Sequence, residues 1–226
     1  MNSKESLVFD SKFDKETVMD GRFELEIYSD FNCTWCYFDK GSIKRLKNEY
    51  DICVVWNAFP LLPDIPEDGL LIEELFDNNF PVMNDKIQQL EKKAAEVGLP
   101  LAMPSAISNT RLSQELGKWA ETKGKSDEYR DGIYEAYFVS GLNIADPSVL
   151  LDVVERSQLS REEAQSVLET RSFRQAVDDD WGKSEELKLV AAPTYILNQD
   201  KLVGSQPYEK LEGLMISNDV PKRLGR

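Results

Sequence analysis

Two thiols separated by two residues, Cys33-Thr34-Trp35-Cys36, follow directly on the strand-like segment FELEIYSD, Phe23 to Asp30. A cysteine pair at the start of a helix can close a small disulfide, and the unpaired N–H groups and dipole of that helix end stabilise a thiolate on the first sulfur. A free thiol titrates near ~8.5, and such settings lower that to roughly 3.5–7.5. Cys33 is therefore the candidate nucleophile. Cys36, one turn further on and more buried, is the candidate for resolving the mixed disulfide that Cys33 forms with a partner. Thr34 and Trp35 lie between the thiols and tune the equilibrium. Trp35 stands where a histidine could have paired with the thiolate, so a milder oxidant, or a reductant, is expected. A bare C-x-x-C also serves zinc sites and buried cores; its place between a strand and a helix, in a chain with few other metal ligands, favours redox chemistry.

A second signal lies about 160 residues downstream, where Ala192-Pro193-Thr194 precedes the strand-like TYIL. A proline there is placed as the cis-proline that faces the cysteine pair in thioredoxin folds, leaving nearby backbone groups free to pair with an extended peptide. The competing reading is an ordinary trans-proline at a strand entry. Taken with the cysteine pair, the sequence favours cis.

These two motifs need elements to hold them. FELEIYSD alternates apolar and polar residues as a core strand does, residues from about Cys33 to Asn48 suit a helix, and DICVVWNAF (Asp51–Phe59) has the β-branched and aromatic character of a buried strand. That is a βαβ unit. Leu61 to Gly69, with two prolines and a glycine, reads as a loop leaving the sheet. About a hundred residues of helical patterning follow, with starts signalled by Asn109, by Asp146-Pro147 and by Ser160 with Glu163 three places on. Phe173, Val177 and Trp181 lie four apart on one helix face that returns the chain to the sheet. Thr194–Leu197 then suits a strand, Asn198–Lys201 a turn, Leu202-Val203 a second strand, and a helix opens near Pro207. The expected architecture is α/β: a β-α-β unit and an α-β-β-α unit, with an all-helical domain inserted between them. The boundaries read as a polar N-terminal arm over 1–22, a core over 23–62 and 172–220, the inserted helices over 63–171, and a C-terminal tail over 221–226.

Composition narrows the chemistry. Histidine is absent from the 226 residues, which removes Ser/His and Cys/His catalysis and every zinc site that uses imidazole. With three cysteines, a four-thiolate zinc site within one chain is also excluded. Cys53, in the apolar run of what reads as a central strand, is expected to be inert core. Trp56, Trp119 and Trp181 read as packing residues, Trp35 as an exposed substrate contact, and the acidic run Asp178–Asp180 as a solvated helix face. The net charge of −14 repels nucleic-acid backbones and anionic membranes. No signal peptide or membrane span is read, so a cytoplasmic location is expected, where such a pair is more often catalytic or metal-binding than structural.

From Phe23 to Met215 the sequence resembles the DsbA-like thioredoxin-fold proteins, and within them the FrnE group of disulfide isomerases and polyketide-associated oxidoreductases. The motifs that carry the likeness are SDFNCTWCYFDKG (29–41), WNAFPLLPDIPEDG (56–69), NTRLSQELGKWA (109–120), EAYFVSGLNIADPSVL (135–150), APTYIL (192–197) and VGSQPYEKL (203–211). The resemblance implies a thioredoxin fold interrupted by a helical domain, with Cys33 as nucleophile, Cys36 as resolving thiol and Pro193 as the cis-proline. Thr34 departs from the family's usual proline, so redox poise and direction do not carry over. Partners would be thiol- or disulfide-bearing proteins or glutathione; no resident cofactor or metal is implied, glutathione being at most a co-substrate. Two other functions fit related chains. One is a glutathione-dependent transferase or isomerase of the kappa-class or 2-hydroxychromene-2-carboxylate isomerase type, in which a serine typically replaces the first cysteine. The other is a peptide-binding or chaperone module switched by its cysteines.

Overall fold

The computed structural model describes residues 23–223; the arm expected over 1–22, and 224–226 of the tail, lie outside them. Its elements run β1 (Phe23–Ser29), α1 (Thr34–Phe38), α2 (Lys40–Glu49), β2 (Ile52–Ala58), β3 (Leu70–Leu71), α3 (Ile72–Leu75), α4 (Phe80–Glu96), β4 (Ala106–Ile107), α5 (Arg111–Thr122) and α6 (Ser126–Tyr134). A π-helical turn (Glu135–Val139), α7 (Pro147–Arg156), α8 (Arg161–Thr170), α9 (Arg174–Glu186), β5 (Thr194–Leu197), β6 (Asp200–Val203) and α10 (Tyr208–Ser217) complete them. The main sheet has the order β2-β1-β5-β6, with β1 parallel to β2 and the other pairs antiparallel. This is the thioredoxin arrangement expected from the sequence.

Strand alternation decides what each face of the sheet buries. Leu25 and Ile27 of β1, with Tyr195 and Leu197 of β5, pack against Ile43 and Leu46 of α2 and Leu211, Leu214 and Met215 of α10. Tyr28 turns to the other face, into a larger core shared by Cys33, Cys36 and apolar residues of α4 to α8. Full burial of each such aliphatic side chain contributes about 1.5–3 kcal/mol, so both flanks of β1 hold the turn that carries the thiols. The helix starts read from sequence have side-chain partners: Asn109 Oδ1 accepts from Arg111 N, Asp146 Oδ1 from Ser148 N, and Ser160 Oγ from Glu163 N.

Five expectations are corrected. The helix after the thiols breaks at Asp39, whose carboxylate is taken by groups from β5 and the 204–206 loop. Among the described residues strand β2 is an edge strand, pairing only with β1, and Cys53 on it is half-buried, not enclosed in a central strand. The intervening region is not wholly helical, because β3 and β4 form a short antiparallel ladder. Residues 221–223 are docked: Asp51 N donates to Pro221 O and Arg223 N to Glu49 O, giving the start of β2 a partial second neighbour. Asp180 is buried, accepting from Ala58 N at 2.8 Å and pairing with Lys118 at 3.1 Å, so the acidic run has one inward member.

Candidate active site

The thiols sit where β1 ends and α1 begins. Asp30 O accepts from Cys33 N in the connecting turn, and Cys33 is the N-cap of α1 in extended conformation, its Sγ accepting from Cys36 N at 3.2 Å. Sulfur here takes the place of the oxygen that usually caps a helix. An acceptor so placed gains from negative charge, because it answers an otherwise orphaned N–H at the positive end. Both thiols are 3 % exposed. Burial, then the hydrogen bond to Cys33 and its charge, push the Cys36 thiol well up, against a smaller opposing pull from Arg130. Cys36 is thus held as a protonated thiol.

The second motif meets the first. Cys33 Sγ donates to Ala192 O at 3.4 Å, and the Ala192–Pro193 peptide is cis. The sequence led us to expect free backbone groups beside Pro193, but the neighbouring carbonyls have internal donors: Gly204 N reaches Pro193 O at 2.7 Å and Thr194 Oγ1 reaches Ala191 O at 2.7 Å. Loss of the Cys33 proton would release Ala192 O. Thr194 is fully buried in β5, paired with Tyr28 and Val203, and Thr34 is half-buried at the start of α1. Trp35 is 37 % exposed, edge-on to Phe38 at 5.7 Å and with Lys86 Nζ of α4 5.8 Å from its ring centroid. Trp119 is buried; Trp56 and Trp181 are half-buried, Trp181 donating to Gln114 Oε1 at 3.0 Å.

Several residues at the site escaped sequence reasoning. Asp39 accepts from Tyr195 OH at 2.5 Å, from Ser205 Oγ, and from Gln206 N at 3.3 Å, so it ties the thiol helix to the strand after Pro193 and to the loop before α10. Burial raises its carboxyl despite those three donors. Its one signal was a lone acid after the apolar stretch CYF. Asp30 accepts from Phe31 N and Gln114 Nε2, both at 2.8 Å, and from Leu61 N at 3.1 Å, and is likewise raised by burial. Asn32, just before Cys33, is buried with no partner for its side-chain amide among the described residues. Arg130 of α6, donating to Ser29 Oγ, comes from 101 positions away in sequence, with nothing local to announce it. Among the described residues no three His, Cys, Asp or Glu side chains gather as metal ligands would.

Comparison with known proteins places this geometry. Residues 24–215 match the model of a family described as DSBA-like thioredoxin domain. Over 205 residues the chain is 28 % identical to the uncharacterized protein YwbO of Bacillus subtilis, covering 88 % of this chain and 98 % of that one. Among solved structures it is similar to the probable DsbA oxidoreductase SCO1869 of Streptomyces coelicolor, with a TM-score of 0.78, 21 % identity, and 91 % and 94 % of the two chains covered. It is also similar to a 2-hydroxychromene-2-carboxylate isomerase, at a TM-score of 0.71 and 19 % identity over 87 % and 96 %. The cytosolic disulfide reductase DsbM of Pseudomonas aeruginosa matches at 0.62 and 19 % over 86 % and 99 %.

Proposed function

The chain belongs to the DSBA-like thioredoxin domain family, and from that premise we propose that it is a thiol–disulfide oxidoreductase or isomerase acting through Cys33 and Cys36. The observation that carries this reading is the double placement of Cys33 Sγ, on the orphan N–H of Cys36 and against the carbonyl beside Pro193. The first contact favours a thiolate. The second puts it where a disulfide lying along the Ala192–Thr194 backbone would be in line for attack.

In the reaction proposed, the Cys33 thiolate attacks one sulfur of R–S–S–R′, forming Cys33–S–S–R and releasing R′–S⁻, which takes up a proton. Cys36, on losing its proton, attacks Cys33 Sγ and releases R–S⁻ in turn. The net change is dithiol plus R–S–S–R′ to protein disulfide plus two thiols. Two glutathione molecules restore the dithiol, leaving as oxidised glutathione. The lack of histidine and the presence of Trp35 between the thiols favour reduction or isomerisation over strong oxidation, and a cytoplasmic setting with protein thiols or glutathione as partners suits that direction. A measured potential near ~−120 mV, at the oxidising end of the scale, would refute it. DsbM, by name a cytosolic disulfide reductase whose structure is also known with glutathione, supports the same direction.

The test is a redox titration of the pair against glutathione, with mass spectrometry of partners trapped by Cys36→Ala. A reversible Cys33–Cys36 disulfide and Cys33-linked adducts are expected; two thiols that never pair would end the proposal. The likeness to the isomerase keeps a second reading in view. Glutathione-dependent activity that survives Cys36→Ala would favour it. A redox-switched binding module would instead keep every function in Cys33→Ser and lose it on substitution in the groove.

A further inference from the structure

Among the described residues, three side chains hold buried polar atoms with no hydrogen-bond partner: Asn32, Trp56 and Arg130. The last two meet. The Arg130 guanidinium lies 3.6 Å from the centroid of the Trp56 ring, and both side chains line one recess of about 290 Å³, its open mouth included. The recess lies between the ends of β1 and β2 and the helices α5 and α6, with Ser29, Gly117, Lys118 and Ser126 also in its wall. The unpartnered atoms are Trp56 Nε1 and Arg130 Nε. An indole N–H and a guanidinium N–H can only donate. What this corner of the fold lacks is therefore an acceptor, and buried donors are seldom left without one.

Charge says what kind of acceptor. Arg130 is 9 % exposed, and among the described residues no carboxylate pairs with it, although a buried cation ordinarily needs such a partner. Arg111, at the same helical interface, has two: Glu115 at 2.9 Å and Asp178 at 2.6 Å. Arg130 has neutral neighbours instead. Its Nη2 donates to Ser29 Oγ and to Tyr134 OH at 3.2 Å, and the Phe31 ring centroid is 4.9 Å away. Rings and hydroxyls orient a cation without neutralising it. Lys118, the other cation in the wall, is already answered by Asp180 at 3.1 Å and Glu121 at 3.3 Å, and donates to Trp56 O at 3.2 Å. The recess thus has one positive charge to spare. A second negative charge would find no free cation and would face Glu121, which also lines the wall.

We infer that this recess is a binding site for a small monocarboxylate, held by Arg130 and by the indole N–H of Trp56. A carboxylate brings one negative charge and two acceptor oxygens, enough for both orphan donors, and hydrogen bonds from a charged donor are the strong ones. Its hydrocarbon part meets Phe31, Ala58 and the bare backbone of Gly117. Both orphan nitrogens are covered as the recess stands; Trp56, half-buried on the edge strand β2, is the wall that shifts to admit the oxygens. Neither cysteine lines the recess, so the site goes beyond the thiol–disulfide reading and does not rest on it.

The experiment follows the indole N–H signals of the isotope-labelled, reduced full chain by NMR as potassium acetate is added, with potassium chloride and potassium sulfate at matched ionic strength as controls. Four tryptophans give four such signals. That of Trp56 is the one lost in Trp56→Phe, or is found by sequential assignment should that variant not fold. Acetate is expected to move it downfield, as a hydrogen bond to a carboxylate does, and to saturate with a Kd of order ~1 mM. The signals of Trp35, Trp119 and Trp181 should stay in place, and Arg130→Met should weaken the binding at least about tenfold, the loss of a charge-assisted contact. No saturable movement by about a hundredfold excess over that constant overturns the inference. Equal movement with chloride or sulfate, or unchanged affinity in a folded Arg130→Met, overturns it as well. Should Arg130→Met not fold, the three wild-type titrations decide alone. Acetate binding in a chain whose Cys33 and Cys36 form no reversible disulfide would leave this site standing while the functional reading falls, so the two failures are told apart.

Discussion

Replacing Asp39 tests whether the site is held together as described. Its carboxylate accepts from Tyr195 OH, Ser205 Oγ and Gln206 N. In Asp39→Ala the Ser205 and Gln206 groups, both half-buried, can turn to water, but the Tyr195 hydroxyl is on a fully buried side chain and is left without an acceptor. A buried donor left unpaired costs about 1–3 kcal/mol, and the loss of hydrogen bonds to a charged acceptor adds to it. A total of roughly 2–4 kcal/mol is expected, which at about 2–4 °C per kcal/mol for a domain of this size lowers Tm by roughly 5–15 °C. The pH dependence is more diagnostic. Burial raises the folded pKa of Asp39 above the unfolded value near ~3.9. Between those two values the native state binds more protons than the unfolded one, so stability falls as pH rises through that window. Asp30 and Asp180 are raised by burial too and contribute slopes of the same sign. Asp39→Asn, which cannot ionise, should therefore flatten part of the acid-side slope in denaturant melts from pH 4 upward, while keeping one acceptor for Tyr195. In the alanine variant the Cys33–Cys36 disulfide should still form, with thiol exchange slowed severalfold because the 204–206 loop loses its tether. Asp39→Ala melting within 2 °C of wild type, or Asp39→Asn keeping the full slope, would refute the bracing role.

Glu115→Gln should destabilise by about 3 kcal/mol, the low end for a broken buried pair because Arg171 is 40 % exposed, read as a lower denaturant midpoint at pH 7. Burial raises the Glu115 carboxyl, but the hydrogen bonds and charges of Arg171 and Arg111 outweigh that and leave it lowered. Its contribution is thus present above the unfolded value near ~4.3 and lost as pH falls through the folded one, so the variant and wild type should converge in acid. Gly69→Ala should cost more than Gly132→Ala in the same assay. At Gly69 φ is +88° and an added Cβ would meet Ile107 O, a backbone atom, at 2.9 Å; at Gly132 it would meet the movable Val153 Cγ1 at 2.8 Å, with a gain in helix propensity of about 1 kcal/mol to set against the strain. Equal losses at the two glycines would contradict the contact geometry.

What was legible in the sequence was whatever local chemistry writes in local order. The Cys33–Cys36 spacing, the Asp146-Pro147 and Ser160 helix starts, and the β5 strand are each stated by neighbouring residues, and the structure has them in those places. Strand β2 misled because a run such as ICVVWNA is equally apolar at an edge, where half-burial and the docked 221–223 segment cover it, and in a centre. The break at Asp39 was unreadable for another reason. A carboxylate on a helix is ordinarily solvated, and only the arrival of Tyr195 and Ser205 from more than 150 residues away gives this one a reason to be inside.

The same logic separates the chemistry of the site from its tuning. The proposed nucleophile Cys33 and its proposed resolving partner Cys36 are neighbours, because a disulfide must close over a short arc and the capping N–H of Cys36 lies one turn from Cys33. The groups that set how readily that disulfide opens act through space, at ranges where a charge in a low-dielectric core still counts. They can therefore come from any element that packs there. Asp39 at the α1–α2 break joins Tyr195 and Ser205 to the helix that carries the thiols, and neither contact is predictable from the four residues of the motif. Two chains with the same Cys-Thr-Trp-Cys could thus differ widely in potential. It follows that grafting this tetrapeptide onto another thioredoxin-fold scaffold should transfer the ability to form the disulfide but not its equilibrium constant with glutathione.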